Sequence, residues 1–403
     1  MMVVRTVASP RHHRTVHPEF CADGEGGNKC TRLAYLQRMR AVKAVALVWL
    51  VPLLLASCAH TGSVDQLGAA EWARELERRD LGPATAVYPF STTPDMEEWT
   101  EEVLRTHFGD GGLRKLRILQ AALFSADFDF AYDSLLTLTA ADAFASRRGN
   151  CLSFTSMFVA MARSAGIPAF LMSVRREPEV DRDGTLVVVN RHVVAGYRGA
   201  SSEVHIFDFY LTTSGPYVQE RAIDDLTATA MYHVNLGGDA IRRGELDEAV
   251  RHLGIATTLA PDWAPGWVNL GVAHYRQGDA EAAFADYQRA LDAEPGNPSA
   301  LGNLAFIYRD QGREREAEVA LRAAAQQTTN PFTLIAMADV EMARGRLGTA
   351  GGYLRKARRW YSDEPEVHLA LARLAERRGD QARAERHRAR AAELGRRQAP
   401  KPD

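Results

Sequence analysis

Cysteine is scarce in this chain of 403 residues: Cys21, Cys30, Cys58 and Cys151 are too few and too scattered for a disulfide framework. Each needs its own explanation. A dominant charge sign is also missing. The 49 Lys and Arg against 51 Asp and Glu give a formal net charge of −2, which excludes the strongly basic surface of a nucleic-acid binder. Long apolar runs are reduced to one, Ala44 to Leu55, and 12 residues fall short of the ~20 that a spanning helix needs. A polytopic membrane protein is excluded. The chain has no Gly-rich phosphate loop and no paired His or Cys spacing of a zinc site, so neither a cofactor nor a metal is expected. What remains is 46% hydrophobic and 25% charged, a globular balance, and at roughly 100 to 200 residues per domain it should form two or three domains.

From Met39 the chain reads MRAVKAVALVWLVPLLLASC: two basic residues, an apolar stretch and small residues before a cysteine, the pattern of a secretory signal. Leu55-Ala56-Ser57-Cys58 resembles the bacterial lipobox. That resemblance implies that Cys58 is acylated, becomes the first residue of the mature chain and attaches it to a membrane. Ala59 stands where an Asp would imply retention in the inner membrane, so the expected location is the outer membrane, facing the periplasm. Residues 1–38 are expected to be a mis-assigned upstream segment, despite His12, His13, His17, Cys21 and Cys30; residues 39–57 are the signal and 58–70 a linker.

The last 170 residues or so carry an internal period. Glycines recur at 244, 278, 312, 345 and 379, with spacings of 34, 34, 33 and 34. Five residues after each comes an alanine (Ala249, Ala283, Ala317, Ala350, Ala384), and seven later another (Ala256, Ala290, Ala324, Ala357, Ala391). Small residues at fixed phase let two helices approach closely. With Pro261, Pro295, Trp267, Leu270, Gly271 and Tyr287 also in phase, the segment resembles the tetratricopeptide repeat, about five helix pairs over residues 230–397. The resemblance implies an all-α solenoid with a concave face for a protein or peptide partner. The basic stretch from Arg373 to Lys401 reads as a solvated capping helix.

Between these regions Glu71 to Arg79, Met96 to Phe108 and Leu113 to Leu123 read as helices, with Trp72 and Trp99 as core residues. Then Asn150 caps a helix that opens at Cys151 and stops near Gly166 and Pro168. Backbone N–H groups and the positive end of the dipole there stabilise a thiolate, the nucleophilic form. Leu186 to Tyr197 and Glu203 to Tyr210 are β-rich and should form a hairpin. If it is centred near Ala200, His192 lies opposite Asp208 on one face, while His205 points to the other face as a packing residue. Thiol, imidazole and carboxylate in this order are the parts of a thiol catalytic triad.

Gly149-Asn-Cys151, Asn190-Arg-His192-Val-Val-Ala and Phe207-Asp208 together resemble the transglutaminase-like superfamily, with its papain-type core. The resemblance implies Cys151 as nucleophile, His192 as base and then acid, and Asp208 as the group that orients it. For the oxyanion the backbone N–H of Cys151 is the natural donor, with Asn150 and Gln120 as further candidates. The expected fold is therefore an α+β papain-like, transglutaminase-like domain over 71–215, a linker over 216–229, and the all-α repeat solenoid. The expected function is a lipid-anchored cysteine peptidase or amidase type of acyl-transfer enzyme. The alternative is a non-catalytic envelope adaptor in which both parts only mediate protein–protein interaction.

Overall fold

The computed structural model describes residues 5–7, 67–82, 85–175, 181–183, 186–188, 192–199, 203–209 and 219–398. The expected signal segment and Cys58 lie outside the described residues. After a short strand β1 (Arg5–Val7) come helices α1 (Ala69–Arg78), α2 (Pro94–Leu104) and α3 (Gly112–Leu123), close to the three expected. Strand β2 (Ala131–Tyr132), helix α4 (Ala140–Ser146) and strand β3 (Arg148–Gly149) lead into α5 (Cys151–Ser164). Beyond it lie β4 (Ala169–Arg175), β5 (Asp181–Asp183), β6 (Leu186–Val188), β7 (His192–Arg198), β8 (Val204–Phe207) and β9 (Gln219–Ile223).

The main sheet has the order β1-β8-β7-β4-β9 and each of its pairings is antiparallel. Helix α5 is hydrophobic nearly all round, so it is a core helix rather than a surface one. Residues from Leu152 to Ala162 are all buried, and Phe154, Phe158 and Met161 pack with Val193, Ala195, Phe207 and Phe209 of the sheet region. The long strand expected over Leu186 to Tyr197 is divided. Its first part pairs with β5 in a separate ribbon, and only His192–Arg198 enters the main sheet. The observed β7–β8 pairs, Ala195 with Phe207 and Tyr197 with His205, are displaced by two residues from the expected register. Because side chains alternate with period two, this shift preserves every face assignment; a slip of one would have reversed them all.

Ten consecutive helices follow: α6 (Asp225–Arg243), α7 (Leu246–Leu259), α8 (Ala264–Gln277), α9 (Ala280–Ala293), α10 (Pro298–Asp310), α11 (Glu314–Gln327), α12 (Pro331–Ala343), α13 (Leu347–Trp360), α14 (Pro365–Arg377) and α15 (Gln381–Gln398). They form five pairs. The five periodic glycines all adopt φ between +72° and +88°, where a Cβ would be strained, and each follows the first helix of its pair. The ten phased alanines are buried, most of them completely. At Gly271 the reason for the small residue is direct: a Cβ there would stand 2.5 Å from the ring of the buried Tyr287. In the last helix Ala384, Ala391 and Leu394 face inward and the arginines outward, as expected of a cap.

The boundary between the two parts departs from expectation. Of the linker expected over 216–229, the described residues 219–229 instead belong to regular elements, because β9 completes the sheet beside β4 and α6 already starts at Asp225. Helix α1 does not pack with the sheet domain either: Trp72 and Leu76 share a core with Ala230, Val234 and Leu253 of the first repeat. The physical reason is Asp225. Its carboxylate is fully buried and accepts two bonds from Arg163 at the far end of α5, both 2.9 Å. It also accepts from the Leu67 backbone (3.0 Å) and lies 2.8 Å from the Tyr88 hydroxyl. A buried charge so completely partnered fixes the elements around it.

Candidate active site

Cys151 is the first residue of α5, and the turn before it is built for that position. The Asn150 carboxamide oxygen accepts from the Ser153 backbone N–H (3.0 Å), which is N-capping as the sequence predicts. Its amide nitrogen donates to Thr137 Oγ1 at 2.7 Å. The Ser153 hydroxyl in turn accepts from the Leu138 backbone at 2.7 Å. Gly149 is required because a Cβ there would lie 2.6 Å from Ser153 Cβ. The motif Gly-Asn-Cys is therefore a steric and capping solution for presenting a thiol at a helix start. One of the two N–H donors of Asn150 is thus spent on Thr137. Gln120 is buried on α3, and its oxygen has no hydrogen-bond partner among the described residues.

The imidazole comes from the first residue of β7. His192 Nε2 donates to Asp208 Oδ1 at 2.8 Å, and both side chains are mostly buried. Asp208 follows the end of β8, so the carboxylate reaches His192 diagonally rather than from directly opposite. With Nε2 engaged, Nδ1 is the ring nitrogen left for the hydrogen bond to Cys151. Burial by itself pushes the imidazole pKa down. The bond to Asp208, the bond to Cys151 and the negative charge on both partners outweigh it, and the pKa is raised to about 9. The ring is thus an imidazolium at neutral pH.

The three residues predicted from the sequence are therefore brought together: sulfur at a helix N-terminus, imidazole beside it, carboxylate behind. Cys151 is a free thiol of intermediate exposure, so it remains accessible to reagents. Two supporting residues escaped the sequence reading. Thr155, fully buried one turn along α5, donates from Oγ1 to the Val193 carbonyl at 3.2 Å and ties the thiol's helix to the strand next to His192. A polar residue amid the apolar face of a core helix was the available signal. Arg163 is the other, and nothing local marks its partner 62 residues away. His205 is buried beneath the sheet as a packing residue, as expected. Among the described residues no group of His, Cys, Asp and Glu could hold a metal.

Comparison with known proteins gives two kinds of match. The family model of the transglutaminase-like superfamily covers residues 114–207. Models of the tetratricopeptide repeat cover residues 234–298, 274–338 and 365–390. Photosystem I assembly protein Ycf3 of Rippkaea orientalis is 42% identical over 65 residues, 14% of this chain and 38% of that protein. Type IV pilus assembly protein PilF of Pseudomonas aeruginosa is 26% identical over 147 residues, 35% of this chain and 58% of the relative. The chain thus spans less than two thirds of the length of these relatives. A solved structure from the functional characterisation of Pseudomonas aeruginosa pilF has 24% identity and a TM-score of 0.37, covering 41% of this chain and 76% of that one.

Proposed function

We propose that this chain, a transglutaminase-like domain over residues 114–207 followed by tetratricopeptide repeats over 234–390, is a thiol acyl-transfer hydrolase of amide bonds whose repeats hold a protein or peptide. The observation that carries the reading is the His192–Asp208 bond of 2.8 Å beside a thiol that opens a buried helix. In the reaction the Cys151 sulfur attacks the amide carbonyl carbon, and the negative charge moves to the carbonyl oxygen near the backbone N–H of Cys151. As that charge returns, the C–N bond breaks and His192 gives its proton to the leaving amine. Water then attacks the thioester, His192 takes the proton, and sulfur leaves with the acid released. Asp208 keeps the ring oriented throughout and stabilises its charged form before the proton is given and after it is regained. The lipobox-like Leu55-Ala56-Ser57-Cys58 supports attachment of this enzyme to the outer membrane through acylated Cys58, with the domain in the periplasm.

The relatives Ycf3 and PilF, both named as assembly proteins, favour a second reading: an adaptor that only brings partners together. Alkylation by iodoacetamide, read at the Cys151 peptide by mass spectrometry at pH 6, separates the two. The enzyme reading expects His192→Ala to slow alkylation at least tenfold and Cys151→Ala to abolish biological activity. Unchanged alkylation in His192→Ala, or full activity in Cys151→Ala, leaves the adaptor.

A further inference from the structure

The ribbon of β5 and β6 interrupts the domain just before His192. Its strands pair antiparallel, Asp181 with Val188 and Asp183 with Leu186. Its backbone does not stand free: Cα atoms of β6 come within 8 Å of those of both α8 and α10. These are the first helices of the second and third repeats, so β6 lies across the inner face of the solenoid. On that same face a groove of about 320 Å³ starts on α10 and continues over α12 and α14. Phe306, Phe332, Ile335 and Leu369 line it, with Leu369 43% exposed, and the Arg373–Asp339 ion pair (2.9 Å) marks its rim. One inner face thus carries a strand with the apolar sequence Leu-Val-Val at one end and an apolar groove at the other, with α10 common to both.

We propose that the β5–β6 ribbon is a tethered ligand of the repeat array. The external ligand is an extended, β-branched apolar segment of a partner protein. It occupies the groove over α10, α12 and α14 and competes with β6 for α10. Val188 is four Cα steps from His192, at most ~3.6 Å each, so the ribbon cannot travel more than roughly 14 Å from the imidazole strand without pulling on it. Partner binding is thereby coupled to the reactivity of Cys151; this last step rests on the active-site reading above, whereas the docking itself does not.

The test uses the full chain and a fluorescein-labelled peptide with the sequence of residues 181–192, DRDGTLVVVNRH, followed by anisotropy. A chain in which residues 181–188 are replaced by a Gly-Ser linker of equal length should bind the peptide at least tenfold more tightly than the wild type. Leu369→Glu in that chain should weaken binding at least fivefold. Should the linker chain fail to match the wild-type circular dichroism, a chain in which only residues 186–188 are replaced by Gly-Ser-Gly takes its place with the same expected direction. Equal binding to both chains, or no binding to the freed one, overturns the tethered ligand, and an unaffected Leu369→Glu overturns the groove. Saturating peptide should change Cys151 alkylation in the wild type at least threefold. Competition without that change overturns the coupling alone, while the His192→Ala comparison independently reports whether the active-site reading holds.

Discussion

Replacing Asp208 by Asn keeps the shape of the side chain and removes its charge. In the wild type the His192 pKa is raised from 6.5 to about 9, a net preference for the charged ring of about 3 kcal/mol. That preference survives against burial, which works in the opposite direction, and the bond to Asp208 is the largest of the contributions that favour imidazolium. Its loss should lower the His192 pKa by about 2 units, so that at pH 8 the fraction of protonated rings falls roughly tenfold. The sign for stability follows from the raised value. The contribution is fully present below the unfolded pKa of 6.5 and is lost as pH rises through about 9. The variant should therefore lie below the wild type by about 2 to 3 kcal/mol in urea unfolding at pH 6, and the two should converge by pH 10. Imidazole resonances of labelled histidine, followed by NMR from pH 5 to 10, measure the titration directly. A wild-type His192 that titrates near 6.5, or an Asn variant displaced by less than half a unit, would refute the reasoning.

Asp225→Ala leaves the partly buried Arg163 guanidinium without its carboxylate and should cost about 2 to 4 kcal/mol in chemical unfolding; a loss below 1 kcal/mol would show that the pair does not join the sheet domain to the array. Thr155→Val conserves shape but leaves the Val193 carbonyl without its donor. It should cost about 1 to 2 kcal/mol and slow Cys151 alkylation severalfold, and wild-type behaviour in both measurements would dismiss Thr155 as a positioning residue. His233, buried and 2.9 Å from the His252 ring, is pushed down by burial and by the neighbouring His252 charge to about 3. Its neutral form is native, so its contribution holds above pH 6.5 and disappears as pH falls from there toward 3, about 2 kcal/mol between pH 7 and 5. Urea midpoints at the two pH values should differ less in His233→Phe than in the wild type; parallel losses would contradict the assignment.

Much of this architecture is written in local pattern. A glycine that must adopt positive φ after each first helix, and alanines where two helices touch, repeat because the physical unit repeats, so the array is legible from spacing alone. Asn150, Cys151 and Gly149 are likewise local: one caps, one places a thiol at the helix start, and one must lack a Cβ. The pairing of His192 with Asp208 was legible because strand parity survives a register error of two. Parity, however, does not determine distance. Nor does it indicate that the first part of the expected long strand pairs with β5 and lies near α8 and α10, far along the chain.

The linker expected over 216–229 shows the same limit. Nothing near Asp225 in sequence indicates that Arg163 will pair with its buried carboxylate, or that Trp72 will pack on the first repeat rather than under the sheet. The sequence by itself determined the paired helices of the repeat array, the residue that caps the thiol's helix and the face that each residue of the β7–β8 pair takes, because these follow from short-range sterics and periodicity. Only the tertiary structure decided the closeness of sulfur, imidazole and carboxylate, the raised His192 pKa and the fusion of the two parts. Burial and opposite charge act through space, between residues that chain order leaves unrelated.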